Sequence, residues 1–138
     1  MILTFDNEQG AAMRHGYLID MDGVIYRGAA AIEGAADFIR YLAEERTPYL
    51  FLTNNSTFTP LDVVVKLRKF EIETAEAHVY TSAMATAEFV QRQKPDGTAF
   101  VIGEGGLLTA LRRIAKPWER RVENPVRSRA AQFACGRL

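Results

Sequence analysis

The chain has 138 residues and a mass of 15.4 kDa, and 48% of its residues are hydrophobic and 25% charged. This length suits one ordinary domain, and the composition excludes disordered, collagen-like and disulfide-scaffold proteins. Its 17 basic and 17 acidic side chains cancel, so no net charge favours nucleic acid or an anionic membrane. There is one cysteine, no export signal in residues 1–10 and no apolar run of the roughly 18–20 residues that a membrane helix needs. We therefore expect a cytoplasmic protein with no membrane or nucleic-acid partner.

The charges are unevenly distributed along the chain. Residues 1–114 contain 11 basic and 15 acidic side chains, whereas residues 115–138 contain 6 basic side chains, five of them arginines, and 2 acidic ones. The last segment also lacks the regular apolar spacing of the rest. We therefore treat residues 115–138 as an atypical basic tail. Two explanations of this composition are open: a natural basic tail, or an end produced by a shifted reading frame.

Apolar spacing predicts alternating strands and helices. In chain order, the first half predicts a buried strand at Tyr17-Leu18-Ile19, a helix presenting Ala35, Phe38, Ile39 and Leu42 and ended by Pro48, a strand at Tyr49-Leu50-Phe51-Leu52, and a helix that begins at Thr59-Pro60 and buries Leu61, Val64 and Val65. The second half predicts a strand at Val79-Tyr80-Thr81, a helix from Ser82 to about Gln93, a strand at Ala99-Phe100-Val101-Ile102, and a last helix presenting Leu107, Leu108, Leu111 and Ile114. Nothing before Met13 contributes to this pattern. It predicts an α/β fold with a parallel sheet covered by helices.

Two carboxylates follow the first predicted strand. Asp20 and Asp22 are two residues apart and can project to the same side, while Gly23 permits a sharp turn behind them. One such carboxylate can act as a nucleophile or metal ligand and the other as an acid and base. Aspartate attack is established chemistry for phosphoryl transfer, and a hard cation such as Mg²⁺ offsets the repulsion between carboxylate and phosphate.

A second polar cluster follows the second predicted strand. Thr53 and Asn54 offer the hydroxyl, amide and backbone N–H donors that a phosphate needs. Because ligands collect at the carboxyl ends of strands in open α/β sheets, we expect both clusters to form one site. An Asp-x-Asp-Gly string alone also fits a simple turn or a calcium loop. A calcium loop is disfavoured because its flank reads as strand and its twelfth position is Ala31.

The sequence resembles the haloacid dehalogenase (HAD) superfamily in two stretches, YLIDMDGVIYRG at residues 17–28 and LTNNS at residues 52–56. Within that superfamily it is most similar to the NagD-like, p-nitrophenylphosphatase branch, and the likeness covers about residues 16–114. The resemblance implies a Rossmann-like core with a parallel sheet, a cap inserted after the third strand, and Mg²⁺-dependent hydrolysis of small phosphate esters such as sugar or nucleotide phosphates.

The resemblance also implies a role for each matching residue. Asp20 would be the nucleophile and a metal ligand, and Asp22 would be the acid and base and offer its backbone carbonyl to the metal. Thr53 and Asn54 would hold the phosphate. The expected cofactor is Mg²⁺, and the expected partner is a small phosphorylated metabolite, while the oligomeric state is left open.

The resemblance divides the chain into three parts. We expect residues 13–84 to form the N-terminal part of the core, residues 85–114 the start of an α/β cap, and residues 115–138 the basic tail. The family places a phosphate-binding lysine and an acidic metal motif after the cap. Here Lys116-Pro117 has almost no cap before it, and the acids after residue 114 are Glu119 and Glu123. We therefore expect an incomplete core and a truncated, impaired phosphatase. The alternative is a catalytically incompetent fragment that keeps residual phosphate binding or depends on a partner.

One further glycine-rich stretch follows the strand predicted at residues 99–102. Gly103-Glu104-Gly105-Gly106 has the start of a dinucleotide fingerprint, but Leu108 stands where that pattern requires glycine. These glycines are better explained as a connection between the predicted strand and the helix that follows it.

Overall fold

A computed structural model describes residues 2–5, 14–95 and 97–114. The strands are β1 (Ile2–Phe5), β2 (Arg14–Asp20), β3 (Tyr26–Arg27), β4 (Ala30–Ala31), β5 (Tyr49–Thr53) and β6 (Val79–Thr81). The α-helices are α1 (Ala35–Glu44), α2 (Pro60–Arg68), α3 (Ser82–Gln93) and α4 (Gly105–Ile114), and a 3₁₀ turn (Glu76–His78) precedes β6. The basic tail predicted at residues 115–138, with the sole cysteine, lies outside the described residues.

A parallel arrangement forms the centre of the main sheet, whose strand order is β1-β2-β5-β6. β2 and β5 are parallel, with Tyr17 opposite Tyr49 and Asp20 opposite Leu52. The predicted α/β class with a parallel sheet is confirmed, and the parallel strands are β2, β5 and β6. In such a sheet the carboxyl ends of β2 and β5 meet at one edge.

The edge strand β1 departs from the predicted pattern. It pairs antiparallel with β2, from Ile2 opposite Tyr17 to Phe5 opposite Arg14. The apolar pattern, to which nothing before Met13 contributes, therefore does not include this strand. A four-residue segment is too short to show a clear periodicity.

The described residues form two compact units. Unit 1 comprises residues 2–5, 14–53 and 60–80, and unit 2 comprises residues 54–59, 81–95 and 97–114. The core of unit 1 is built on β5 and the helices, with Phe51 and Leu67 completely inaccessible to solvent and Leu42 1% exposed. The boundaries expected from the family resemblance stay a prediction. None of the helices in these described residues has the length and apolarity that a membrane crossing needs.

Helix α2 begins at Pro60 as predicted but buries a different face. Its buried residues are Pro60, Val63, Val64 and Leu67. Leu61 and Val65 are instead 53% and 47% exposed, so the predicted stripe is wrong by about one residue of helix rotation. The observed stripe follows i, i+3, i+4 and i+7 through to a leucine, whereas the predicted stripe would have continued to Arg68.

Unit 2 packs α3 against α4 around small side chains. Its buried cluster is Ala83, Ala87, Val101, Ala110 and Leu111. The strand predicted at residues 99–102 is not formed in the described structure, although burial still alternates there: Val101 is 4% exposed, while Phe100 and Ile102 are 59% and 76% exposed. A strand requires a hydrogen-bonded neighbour, which local sequence cannot supply. The prediction of a strand is therefore wrong.

Candidate functional site

Two aspartates lie at and just beyond the end of β2. Ile19 and Met21 are buried, at 6% and 1% exposure, whereas Asp20 and Asp22 between and after them are exposed. Because an extended chain directs successive side chains to opposite faces, this alternation places both carboxylates on the exposed side. The structure thus brings Asp20 and Asp22 to the same side of the chain.

The Asp20 carboxylate is oriented by the backbone that follows it. Its Oδ1 atom accepts a hydrogen bond of 2.8 Å from the N–H of Met21. Asp20 also stands opposite Leu52 in the ladder between β2 and β5, and the next residue of β5 is Thr53, which is half-buried. The carboxylate and the Thr53 hydroxyl therefore belong to adjoining strand ends at the same edge of the sheet.

A tight turn follows the aspartates. The Met21 carbonyl accepts hydrogen bonds from the N–H groups of Ile25 at 2.9 Å and Tyr26 at 3.2 Å, and the Gly23 N–H donates to the Tyr26 carbonyl at 2.8 Å. These bonds form a parallel bridge between Asp22 and Tyr26. In this bridge the residues that flank Asp22 make the hydrogen bonds, so neither backbone group of Asp22 takes part in it.

Tyr26 anchors this turn to the core of unit 1. It begins the small antiparallel hairpin of β3 and β4 and is 7% exposed. The Lys66 ammonium lies 3.6 Å from the centre of its ring, and the ring of Phe70 lies 5.5 Å away. A cation over an aromatic face is attracted by the ring quadrupole. Helix α2 and the residues after it therefore fix the far end of the turn that carries Asp22.

The oxygen donors at the end of β2 fit a hard divalent cation in chemical type. Mg²⁺ is commonly held by one or two carboxylates together with phosphate oxygens and water. Asp20 and Asp22 supply two carboxylates, and the Asp22 carbonyl is not used by the bridge to Tyr26. Across the described ranges no three His, Cys, Asp or Glu side chains come together as a metal-binding group. The chain therefore offers a small donor set of the magnesium type.

Asn54 begins a loop, residues 54–59, that belongs to unit 2. The Ser82 hydroxyl donates to the Asn54 carbonyl at 2.8 Å, and the Asn55 Oδ1 accepts from the Thr57 N–H at 2.8 Å. The N–H of Gly106, in the first turn of α4, donates to the Thr57 carbonyl at 2.8 Å. The boundary between the two units therefore passes between Thr53 and Asn54, the two residues predicted to hold the phosphate.

Sequence reasoning did not anticipate the contacts of Ser82 and Gly106 with this loop. Ser82 was expected only at the start of a helix, and the glycines of residues 103–106 only as a link into a helix. The sole signal in the sequence is the Gly105-Gly106 pair inside the first turn of α4, where glycine is unfavourable for helix formation. Glycine is required at position 106 because this residue contacts Thr57, which lies about fifty positions earlier in the chain.

Comparison with known proteins assigns the chain to a family. The model of the haloacid dehalogenase-like hydrolases matches residues 17–115. The chain therefore belongs to the haloacid dehalogenase-like hydrolase family, as the resemblance in its two motifs predicted.

The similar proteins bear phosphatase or nucleotidase names. An acid sugar phosphatase of Staphylococcus epidermidis is 50% identical over 101 residues, which cover 72% of this chain and 39% of that protein. The 5'-nucleotidase YutF of Bacillus subtilis is 48% identical over 96 residues, covering 70% of this chain and 38% of YutF. This chain therefore spans about two fifths of the length of each of these relatives.

Solved structures give the same assignment. NagD from Escherichia coli K-12 has a TM-score of 0.66 and 34% identity, over 72% of this chain and 39% of NagD. The p-nitrophenyl phosphatase from Archaeoglobus fulgidus has a TM-score of 0.64 and 35% identity, over 72% of this chain and 38% of that protein. The likeness to the NagD-like, p-nitrophenylphosphatase branch is thereby confirmed.

Proposed function

We propose that the chain carries the nucleophile-bearing part of a phosphatase site for small phosphate monoesters, such as sugar or nucleotide phosphates. One observation carries this proposal: Asp20, oriented by the Met21 N–H, ends a central strand at the same sheet edge as Thr53. The names of the similar proteins support the class of substrate. A cytoplasmic location stays a prediction from the sequence.

The two aspartates divide the reaction between them. An oxygen of the Asp20 carboxylate attacks phosphorus, forming an aspartyl-phosphate while the bond from phosphorus to the departing alcohol oxygen breaks. Asp22 gives its proton to that oxygen. The Asp22 carboxylate then takes a proton from a water molecule that attacks phosphorus. This second step breaks the bond to Asp20 and releases inorganic phosphate.

The remaining groups bind and orient the phosphate. The Thr53 hydroxyl and the Asn54 amide donate hydrogen bonds to its oxygens, which favours the charge that develops during transfer. The Asp20 carboxylate, with Asp22 through its carbonyl, would hold Mg²⁺. When bound, the cation supplies positive charge that offsets the repulsion between an attacking carboxylate and a phosphate dianion.

The chain by itself is proposed to be an impaired enzyme. Within the described residues, only two carboxylates at this edge could hold a cation. No third acidic, histidine or cysteine side chain in that part of the chain lies beside them. Weak cation binding leaves the repulsion between carboxylate and phosphate incompletely offset. The same observation favours a second function, in which the chain binds phosphate but does not turn it over, or does so only with a partner.

The direct test is hydrolysis of p-nitrophenyl phosphate by the purified chain, with and without Mg²⁺. We expect Mg²⁺-dependent turnover below about 1 s⁻¹, the low end of ordinary enzymes. Asp20→Asn should lower that turnover by about a hundredfold or more, because it removes the nucleophile. Asp37→Asn is the matched control, since Asp37 is an exposed aspartate of α1 that pairs with Arg40.

The outcomes separate the two functions. Turnover that Asp20→Asn removes and Asp37→Asn keeps supports the enzyme. Absent turnover together with binding of inorganic phosphate, measured by calorimetry and weakened by Asp20→Asn, supports the binding function. Turnover that Asp20→Asn leaves unchanged overturns the assignment of the nucleophile.

A further inference from the structure

The loop of residues 54–59 is held at two points by the two helices of unit 2. One point is the Asn54 carbonyl, which accepts from the hydroxyl of Ser82, the first residue of α3. The other is the Thr57 carbonyl, which accepts from the N–H of Gly106, the second residue of α4. Both hydrogen bonds are 2.8 Å long, which is a good length for this kind of bond. Two helix starts therefore fix two carbonyls that are three residues apart.

The contact at Gly106 leaves no space for a side chain. A β-carbon at this position would lie 2.5 Å from the carbonyl oxygen of Ser56, 2.7 Å from that of Phe58 and 2.8 Å from the carbonyl carbon of Thr57. All three atoms belong to the backbone of the loop, so no rotation of a flexible side chain would relieve the clash. Gly105, its neighbour in the same helical turn, has no atom within 4 Å of such a β-carbon. Close approach of the loop is therefore specific to Gly106.

The anchor at Gly106 also determines the direction of one N–H group of the loop. In a trans peptide the C=O and the following N–H point in opposite directions. With the Thr57 carbonyl directed at Gly106, the N–H group of Phe58 is directed away from that anchor. Backbone N–H groups held in a fixed direction are effective donors to phosphate oxygens.

We infer that Ser82 and Gly106 are positioning residues for the phosphate-binding loop of residues 54–59, acting through the carbonyls of Asn54 and Thr57. This inference rests on the proposed function, because it takes Asn54 as a ligand of the phosphate. It adds that the orientation of the loop is set within unit 2, by the hydroxyl of Ser82 and by the absence of a side chain at Gly106.

The test combines backbone amide NMR spectra of the ¹⁵N-labelled full chain with a titration of inorganic phosphate in the presence of MgCl₂. Gly106→Ala should shift the amide resonances of residues 54–59 and weaken phosphate binding by about threefold to tenfold, the loss of one hydrogen bond. Gly105→Ala is the matched control and should leave both measurements within about twofold of the original chain.

A second pair of variants tests the other anchor without filling the space at Gly106. Ser82→Ala removes the hydroxyl and should weaken phosphate binding to a similar extent, whereas Ser82→Thr keeps a hydroxyl and should restore it. Rescue by threonine distinguishes positioning through the Asn54 carbonyl from a general loss of stability. Equal binding by the alanine and threonine variants overturns the role of Ser82.

Failure of the inference is distinct from failure of the proposed function. If the unchanged chain binds no phosphate, the proposed function fails, and the loop resonances alone decide whether Gly106 anchors the loop. If the chain binds phosphate but Gly106→Ala and Gly105→Ala behave alike, the inference fails and the proposed function stands. Loop resonances that shift in Gly106→Ala without a loss of phosphate affinity also overturn the inference.

Discussion

Gly23 adopts a left-handed backbone conformation, with φ of 83°, directly after the two aspartates. This conformation lets the chain turn so that the Gly23 N–H reaches the Tyr26 carbonyl. A β-carbon at Gly23 would have no atom within 4 Å, so space is not the constraint. The constraint is the backbone angle, which residues with a β-carbon adopt at a cost.

Gly23→Ala should therefore lower the free energy of unfolding by about 1–2 kcal/mol. Gly23→Asn should cost less, because asparagine tolerates the left-handed region better than alanine. Urea unfolding of the three chains measures both differences. Equal stabilities for the asparagine and alanine variants would show that the backbone angle is not what selects glycine here.

Sequence reasoning identified Asp20 and Asp22 as two carboxylates that stand two residues apart after an apolar run, and in the structure both are exposed beside the buried Ile19 and Met21. The backbone groups that hold these residues in place could not be predicted. The bridge from Asp22 to Tyr26 depends on one glycine angle, and the anchors at Ser82 and Gly106 depend on contacts between distant parts of the chain.

Among the elements, α2 illustrates how far periodicity alone can determine a buried face. The predicted and observed stripes both have the spacing i, i+3 and i+4, and both include Val64. They differ at the next turn, where one reaches Leu67 and the other Arg68. A short helix offers few turns with which to separate two such faces, so its existence was predicted correctly and its rotation was not.

The two faces of α2 predict different effects of equivalent substitutions. Leu67→Ala should lower the free energy of unfolding by about 2–5 kcal/mol, because Leu67 is completely buried and its truncation leaves a cavity. Leu61→Ala in the same helix should cost less than about 1 kcal/mol, since Leu61 is 53% exposed. Guanidinium unfolding of both variants is the measurement. A larger loss for Leu61→Ala would contradict the observed rotation.

Helix α3 begins with a buried cap. The Thr81 side chain is 1% exposed and its hydroxyl oxygen accepts from the Met84 N–H at 3.2 Å, which satisfies one of the free N–H groups of the first turn. Thr81→Val keeps the side-chain volume but removes the hydroxyl oxygen, and it should lower the free energy of unfolding by about 1 kcal/mol. Thr81→Ser keeps the acceptor but loses a buried methyl group. A valine variant as stable as the original chain would show that the cap contributes nothing.

On the scale of the whole molecule, the strand predicted at residues 99–102 shows what local sequence leaves undetermined. Burial alternates along this segment, with Val101 in the core of unit 2 and Phe100 and Ile102 largely exposed. A run of four apolar residues does not indicate which of its side chains face the core, because every position is apolar. Whether such a segment becomes a strand depends on a hydrogen-bonded neighbouring strand, which the local sequence does not specify.

Exposed apolar side chains on an extended segment favour association between molecules. Ile102→Lys should therefore raise the concentration at which the chain begins to associate, while changing the free energy of unfolding by less than about 0.5 kcal/mol. Sedimentation at a series of concentrations measures the first effect and urea unfolding the second. Val101→Lys is the matched control and should lower stability by about 3 kcal/mol, because it buries a charge. Association unaffected by Ile102→Lys would exclude this surface as its cause.

The position of β5 inside the sheet has a consequence for how the molecule fluctuates. β5 lies between β2 and β6, and its central residue, Phe51, is completely inaccessible to solvent. Successive N–H groups of a central strand point alternately to the two neighbouring strands, so exchange of its amide hydrogens with solvent deuterium along the whole of β5 requires both ladders to separate, an opening close to complete unfolding of that unit. The strand that ends in Thr53 is therefore among the last parts of unit 1 to open, so thermal fluctuations of the native state leave the base of this site intact.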